Sequence, residues 1–126
     1  MLIEWDLEYR PTEMKTDQSN VLVVLVTAAT EEEAAKISEV AVKSHYAACA
    51  TTIPAVRSVY WWQGKLMNEQ ESIVLLKTTV DRFEHLQQAI RSVHSYQVPE
   101  IIAVPVAHGF SPYLEWVRHE TTGYGG

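Results

Sequence analysis

The chain has 126 residues and a formal net charge of -6, with 47% apolar and 21% charged residues. That is one domain, large enough for a core without staples, and its acidity disfavours binding to phosphate backbones. Cys49 is the only cysteine, which excludes an internal disulfide, a CxxC site and a ferredoxin-type iron–sulfur cluster, and which fits a reducing cytoplasm.

Residues 1–20 read as a polar N-terminal extension, and residues 21–126 as the folded domain. The extension lacks the basic start and apolar run of a signal peptide, and no apolar run approaches the roughly 20 residues that span a bilayer. Val21 to Val26 is an unbroken Val/Leu run, the pattern of a strand covered on both faces. Thr30 and Glu33 then form a capping box that opens a helix, carried by Ile37, Val40, Ala41 and Ser44 and ending near His45 and Tyr46.

Ala48 to Thr52 is β-compatible, Pro54 implies a bend or bulge, and Val56 to Trp62 resumes as strand. Gln63-Gly64 supplies a turn into a short return strand over Lys65–Met67, and Ser72 to Thr79 forms a further long strand. Asp81 with Glu84 predicts a second capping box, before a helix with Phe83, Leu86, Ile90 and Val93 along one side. After Pro99, Ile101 to Val106 is another apolar strand. Ser111-Pro112 starts a third helix, with Ser111 as N-cap and Leu114 and Val117 facing inward.

The first six elements give the α+β, ferredoxin-like order βαββαβ, with an extra C-terminal helix. Helices on one side of a four-stranded sheet leave the other side bare. Apolar strands of this kind need cover, which other copies of the chain supply; self-association is therefore a physical expectation.

The residues that carry a likeness are Ala47 to Ala50, Ile53-Pro54 and Ser58-Val59-Tyr60-Trp61-Trp62-Gln63-Gly64-Lys65. With them go Lys77-Thr78, Val93-His94-Ser95-Tyr96-Gln97-Val98-Pro99-Glu100 and Pro112-Tyr113-Leu114-Glu115-Trp116. In this order and spacing, over about residues 21 to 119, the chain resembles the CutA divalent-cation tolerance family. The resemblance implies a homotrimer with the architecture of the PII signalling trimers, ligand clefts between subunits, a link to divalent-metal tolerance and copper binding, and no established catalysis. The chain departs from the family's common His-Pro-Tyr-Glu: it reads His94-Ser95-Tyr96-Gln97, without the last carboxylate. Val26 stands near a position where some members carry cysteine.

For a divalent metal such as Cu(II), His94 is the first candidate, since a neutral imidazole suits copper; Glu100 lies across Pro99, and Cys49 offers a soft thiolate. Against these stand a helix-capping histidine, an interface carboxylate paired with a lysine such as Lys77, and a buried, inert thiol. An inter-subunit ligand cleft is expected from Tyr60, Trp61, Lys77, Tyr96, Tyr113 and Trp116. Along a strand Tyr60 and Trp62 share one face and Trp61 takes the other, while Tyr113 and Trp116 share a helix side. The alternative role for these aromatics is subunit packing.

No Ser-His-Asp pattern, Gly-rich phosphate loop or HExxH motif occurs, and no two histidines sit at i, i+4, so an enzyme is not expected. RNA recognition by the same topology needs stacking aromatics and a basic sheet, which Ser72 to Thr79 and the net charge do not provide. The expected function is a cytoplasmic, trimeric divalent-metal binder without an obligatory cofactor, with neither nucleic acid nor membrane as partner. Its alternative is a PII-like signalling or scaffold trimer holding a small organic ligand or a protein partner in its clefts.

Overall fold

The computed structural model describes residues 20–122. Apart from Asn20, the N-terminal extension lies outside the described residues. The elements are β1 (Val21–Ala28), α1 (Glu31–Lys43), β2 (Cys49–Trp62), β3 (Lys65–Thr79), α2 (Phe83–Val93), β4 (Ile101–Pro105) and α3 (Ser111–Thr121), with a 3₁₀ turn at Val80–Arg82 before α2. The sheet is antiparallel with order β2-β3-β1-β4, so the α+β, ferredoxin-like order holds.

Alternation along β1 divides the sheet. Val24, Val26 and Ala28 point at α1 and α2, and with Ile37, Leu76, Leu86 and Ile90 they form a core without exposed surface. Burying each larger side chain of this set stabilises by about 1.5–3 kcal/mol relative to exposure. The opposite face is covered only at one end. There α3 brings Val117 onto Val21 and Ala48, and Thr121 reaches Thr79 at 3.5 Å. The carbonyls at the end of α3 are taken by His45 Nδ1–H, donating to Glu120 at 2.9 Å, and Arg82 Nε–H, donating to Thr121 at 2.7 Å. Beyond α3 the face is bare: Ile53, Ile102 and Val104 are 43%, 51% and 47% exposed. In the single chain β1 is thus covered fully on one face only, where its composition predicts cover on both.

Thr30 caps α1 as expected, accepting the Glu33 N–H at 3.0 Å. The reciprocal bond goes elsewhere: the Glu33 carboxylate accepts from Ala29 N–H at 2.9 Å. The second capping box does not form. Asp81 is absorbed in the 3₁₀ turn, and α2 starts behind Arg82 without a side-chain cap. At α3 the capping residue is Phe110, whose carbonyl accepts from Tyr113 and Leu114, so Ser111 and Pro112 are already helical.

The short return strand at Lys65–Met67 and the strand from Ser72 are one 15-residue strand, because Asn68 to Glu71 stay paired with Val56 to Val59. Pro54 does mark a bulge: the register shifts between Ile53 and Val56, with Ala55 at φ 61°. Gln63 (φ 51°) and Gly64 (φ 80°) make the tight turn of the hairpin, with both residues left-handed as a type I′ turn demands.

Candidate functional site

Past the bulge, the pairings Val56–Glu71, Ser58–Glu69, Tyr60–Met67 and Trp62–Lys65 continue the bare face of the sheet. The segment after α2 folds back beside them. A cleft of about 740 Å³ lies between, lined by Thr27, Ser58, Val59, Tyr60, Trp62 and Glu71 on the sheet and by Ser95 to Val98 and Glu100 on the connecting segment. This size is ordinary for a small-molecule site.

His94 fixes that segment. Its Nδ1 accepts the Tyr96 N–H at 3.0 Å, so the ring hydrogen sits on Nε2 and is donated to the Thr27 carbonyl at 2.7 Å. The side chain has no exposed surface. Glu33 is the second tether: its Oε2 accepts the Ser95 N–H at 2.5 Å and stands 3.8 Å from His94 Nδ1. Burial pushes the Glu33 acid up, but the Ala29 N–H and the Ser95 hydroxyl and N–H outweigh it and hold the pKa below its ordinary value. Tyr96 leans on the His94 ring, with centroids 4.8 Å apart, and donates its phenol hydrogen to Glu71 Oε2 at 2.5 Å.

Glu71 is only 5% exposed. Tyr60 donates to Glu69 Oε1 at 3.0 Å. Both phenols are held in the protonated form beyond the ordinary tyrosine range. For Tyr96 burial is the largest cause, followed by the bond to Glu71; for Tyr60 the bond to Glu69 leads. Two carboxylates, Glu71 and Glu100, line the cleft, and no lysine or arginine does among the described residues.

The expected site residues are only partly gathered. Tyr60, Tyr96 and Glu100 line one cleft, and His94 is its sealed support. Trp61 does not join them. It stands on the other face of the hairpin, 71% exposed, opposite Leu66, and Trp62 takes its place in the cleft. Cys49, Lys77, Tyr113 and Trp116 form a separate group under α3. There Cys49 and Lys77 are cross-strand neighbours, Cys49 Sγ lies 3.6 Å from the Tyr113 hydroxyl, and the Tyr113 and Trp116 rings are 5.6 Å apart. The contact with Cys49, then burial, pushes the Tyr113 phenol up to about 12. Within one chain Cys49 thus belongs with α3 and not with His94 and Glu100.

Metal binding by His94 would have to displace its bond to Thr27 or to Tyr96. Among the described residues no three His, Cys, Asp or Glu side chains cluster as ligands. Sequence reasoning missed Trp62 and Glu71 as cleft residues. The signal for Trp62 was alternation, since it lies two residues from Tyr60; Glu71 enters through its cross-strand place beside Val56, which no local pattern gives.

A family model described as CutA1 divalent ion tolerance protein matches residues 22–120. The chain is 41% identical over 99 residues to the divalent-cation tolerance protein CutA of Thermus thermophilus, covering 79% of this chain and 96% of that protein. The solved structure of a Thermus thermophilus divalent cation tolerance protein superposes with a TM-score of 0.79 at 40% identity, over 80% of this chain and 98% of that one. CutA1 from Oryza sativa gives 0.79 at 33% identity, over 82% and 94%. A protein described as the periplasmic divalent cation tolerance protein CutA of Archaeoglobus fulgidus gives 0.77 at 29% identity, over 80% and 98%.

Proposed function

The chain belongs to the CutA1 divalent ion tolerance family, and from that premise we propose that it acts in divalent-cation tolerance as a homotrimer that binds a small ligand in the Tyr60–Glu71–Tyr96 cleft, and not as an enzyme. The observation that carries this reading is the unfinished sheet. Ile53, Ile102 and Val104 stand exposed on a face whose other end is already a packed core, and the cleft opens on the continuation of that face. Apolar sheet surface of this kind is what subunit interfaces bury. Neighbouring copies laid on it would stand beside the cleft and supply a further wall.

The chemistry of the cleft supports binding over catalysis. Ser58 and Ser95 line it, but the neighbouring imidazole has both nitrogens engaged and is not free to activate either hydroxyl. A divalent ion such as Cu(II) entering there would meet the oxygen donors of Glu71 and Glu100 without a preformed ligand set, so it binds weakly in this reading. The volume favours the second form of the same reading, a PII-like trimer that responds to an organic ligand. No helix among the described residues is long and apolar enough to cross a membrane. A cytoplasmic location rests on the lone cysteine, and a relative described as periplasmic shows that family membership alone does not fix the compartment.

The test is molar mass by light scattering at micromolar concentration, with Cu(II) and Zn(II) calorimetry on the same metal-stripped sample. A mass three times that of the 14.3 kDa chain and weak, saturable ion uptake are expected. A monomer mass would overturn the assembly, and a flat titration would remove the metal from it.

A further inference from the structure

The cleft carries more than a general capacity to bind. Glu71 is 95% buried by its 5% exposure, and its Oε2 is taken by the Tyr96 hydroxyl. Among the described residues Oε1 has no hydrogen-bond donor, yet no buried side-chain oxygen is left sealed without a partner, so Oε1 opens into the cleft that Glu71 lines. A desolvated carboxylate with one oxygen free is a strong acceptor for a charged N–H donor. Tyr60, Trp62 and Tyr96 line the same space, and aromatic ring faces attract cations within about 6 Å of their centroids. Glu100 adds a second negative charge at the lining.

A bare metal ion suits this arrangement poorly. It would fill a small part of 740 Å³, and it needs several ligating side chains converging on one point, which the described residues do not offer. An anion is excluded by the carboxylates. A neutral apolar ligand would leave the Glu71 oxygen buried beneath it without a partner.

We propose that the cleft of Tyr60, Trp62, Glu71 and Tyr96 takes an organic ammonium ion, with its N–H donated to Glu71 Oε1 and its carbon skeleton between the aromatic rings. This deepens the reading of the cleft as a ligand site and rests on it. Glu71 supplies the charge recognition. Tyr96 holds the Glu71 carboxylate in place through Oε2, and His94 positions Tyr96 through its backbone N–H.

The probe is 2-phenylethylamine, a cation at neutral pH, set against the uncharged 2-phenylethanol of the same shape. Binding is followed by calorimetry and by the NMR shift of the Trp62 indole N–H in the full chain. The amine should bind at least tenfold more tightly than the alcohol and shift the Trp62 signal. Glu71→Gln keeps an oxygen for the Tyr96 hydroxyl and should stay folded, yet lose the amine by tenfold or more; Trp62→Leu should weaken it several-fold. Equal affinity for amine and alcohol, or a Glu71→Gln protein that binds the amine like the parent, overturns the proposal. If Cu(II) titrates into the cleft while the amine does not, the ammonium ligand falls and the ligand-site reading stands. If neither binds to an intact trimer, both fall.

Discussion

The Nδ1 atom of His94 accepts the backbone N–H of Tyr96 at 3.0 Å, two residues further along the chain. A side chain without exposed surface thus sets the path of the segment that walls the cleft. His94→Ala should leave the Thr27 carbonyl and the Tyr96 N–H without partners and lower the unfolding free energy by about 2–4 kcal/mol. Urea unfolding reads the loss, and hydrogen exchange at the Tyr96 amide should accelerate. An unchanged urea midpoint would contradict this role.

Glu33 ties the start of α1 to the same segment, with its pKa below the ordinary value of 4.5. Its carboxylate therefore contributes stability that is fully present above pH 4.5 and is lost as the pH falls through the lowered value. Melting temperature measured from pH 6 downwards should fall across that window in the parent. Glu33→Gln should be less stable at pH 6 and show a shallower fall; equal slopes would show that the acid loss arises elsewhere.

The hairpin turn needs two left-handed residues, and Gly64 at φ 80° is the one without a Cβ. Gly64→Ala meets no neighbouring atom within 4 Å, so its cost is backbone strain alone, about 1–2 kcal/mol. Differential scanning calorimetry checks the number. A cost near zero would mean that the turn relaxes to another type.

Val104 faces solvent across from Val23 on the bare sheet face. If copies of the chain cover that face, Val104→Asp buries a charge at the interface and should shift the assembly toward monomer, with a melting temperature that now depends on protein concentration. Sedimentation velocity distinguishes the outcomes: a variant as fully assembled as the parent would place the interface elsewhere.

The Tyr113 phenol, pushed up to about 12 by Cys49 and burial, should titrate late in an absorbance titration. Replacing Cys49 by Ala removes the larger cause and should move that phenol back toward 10. No movement would make burial the whole cause.

Much of this architecture could be read from residue order. The Val/Leu run of β1, the Thr30 cap, the Pro54 irregularity and the Gln63-Gly64 turn each act through neighbours in the chain. The failures were where distant residues decide. Asn68 to Glu71 look like a break, being polar throughout, but pairing with Val56 to Val59 holds them in the strand, and neither hairpin face there needs an apolar row. Asp81 has a partner at the right spacing, yet the chain makes a 3₁₀ turn first. Within one chain, Cys49, Lys77, Tyr113 and Trp116 group apart from Tyr60 because of which end of the sheet α3 covers, which no local pattern encodes; the expected cleft lies between subunits, so this grouping does not decide it.

The bulge at Pro54-Ala55 is a parity switch. Before it, the odd-numbered residues Cys49, Thr51 and Ile53 share the bare face; after it, the even-numbered Ser58, Tyr60 and Trp62 do, because two residues of β2 are set against one of β3. Losing Ala55 would keep every pairing downstream and merely flatten the strand. Losing one residue between Val56 and Tyr60 would invert the frame, turn Tyr60 and Trp62 outward and deliver Trp61 into the cleft. Change in length is thus tolerable at the bulge, whereas a one-residue deletion between it and Tyr60 exchanges the ligand wall for the outer surface.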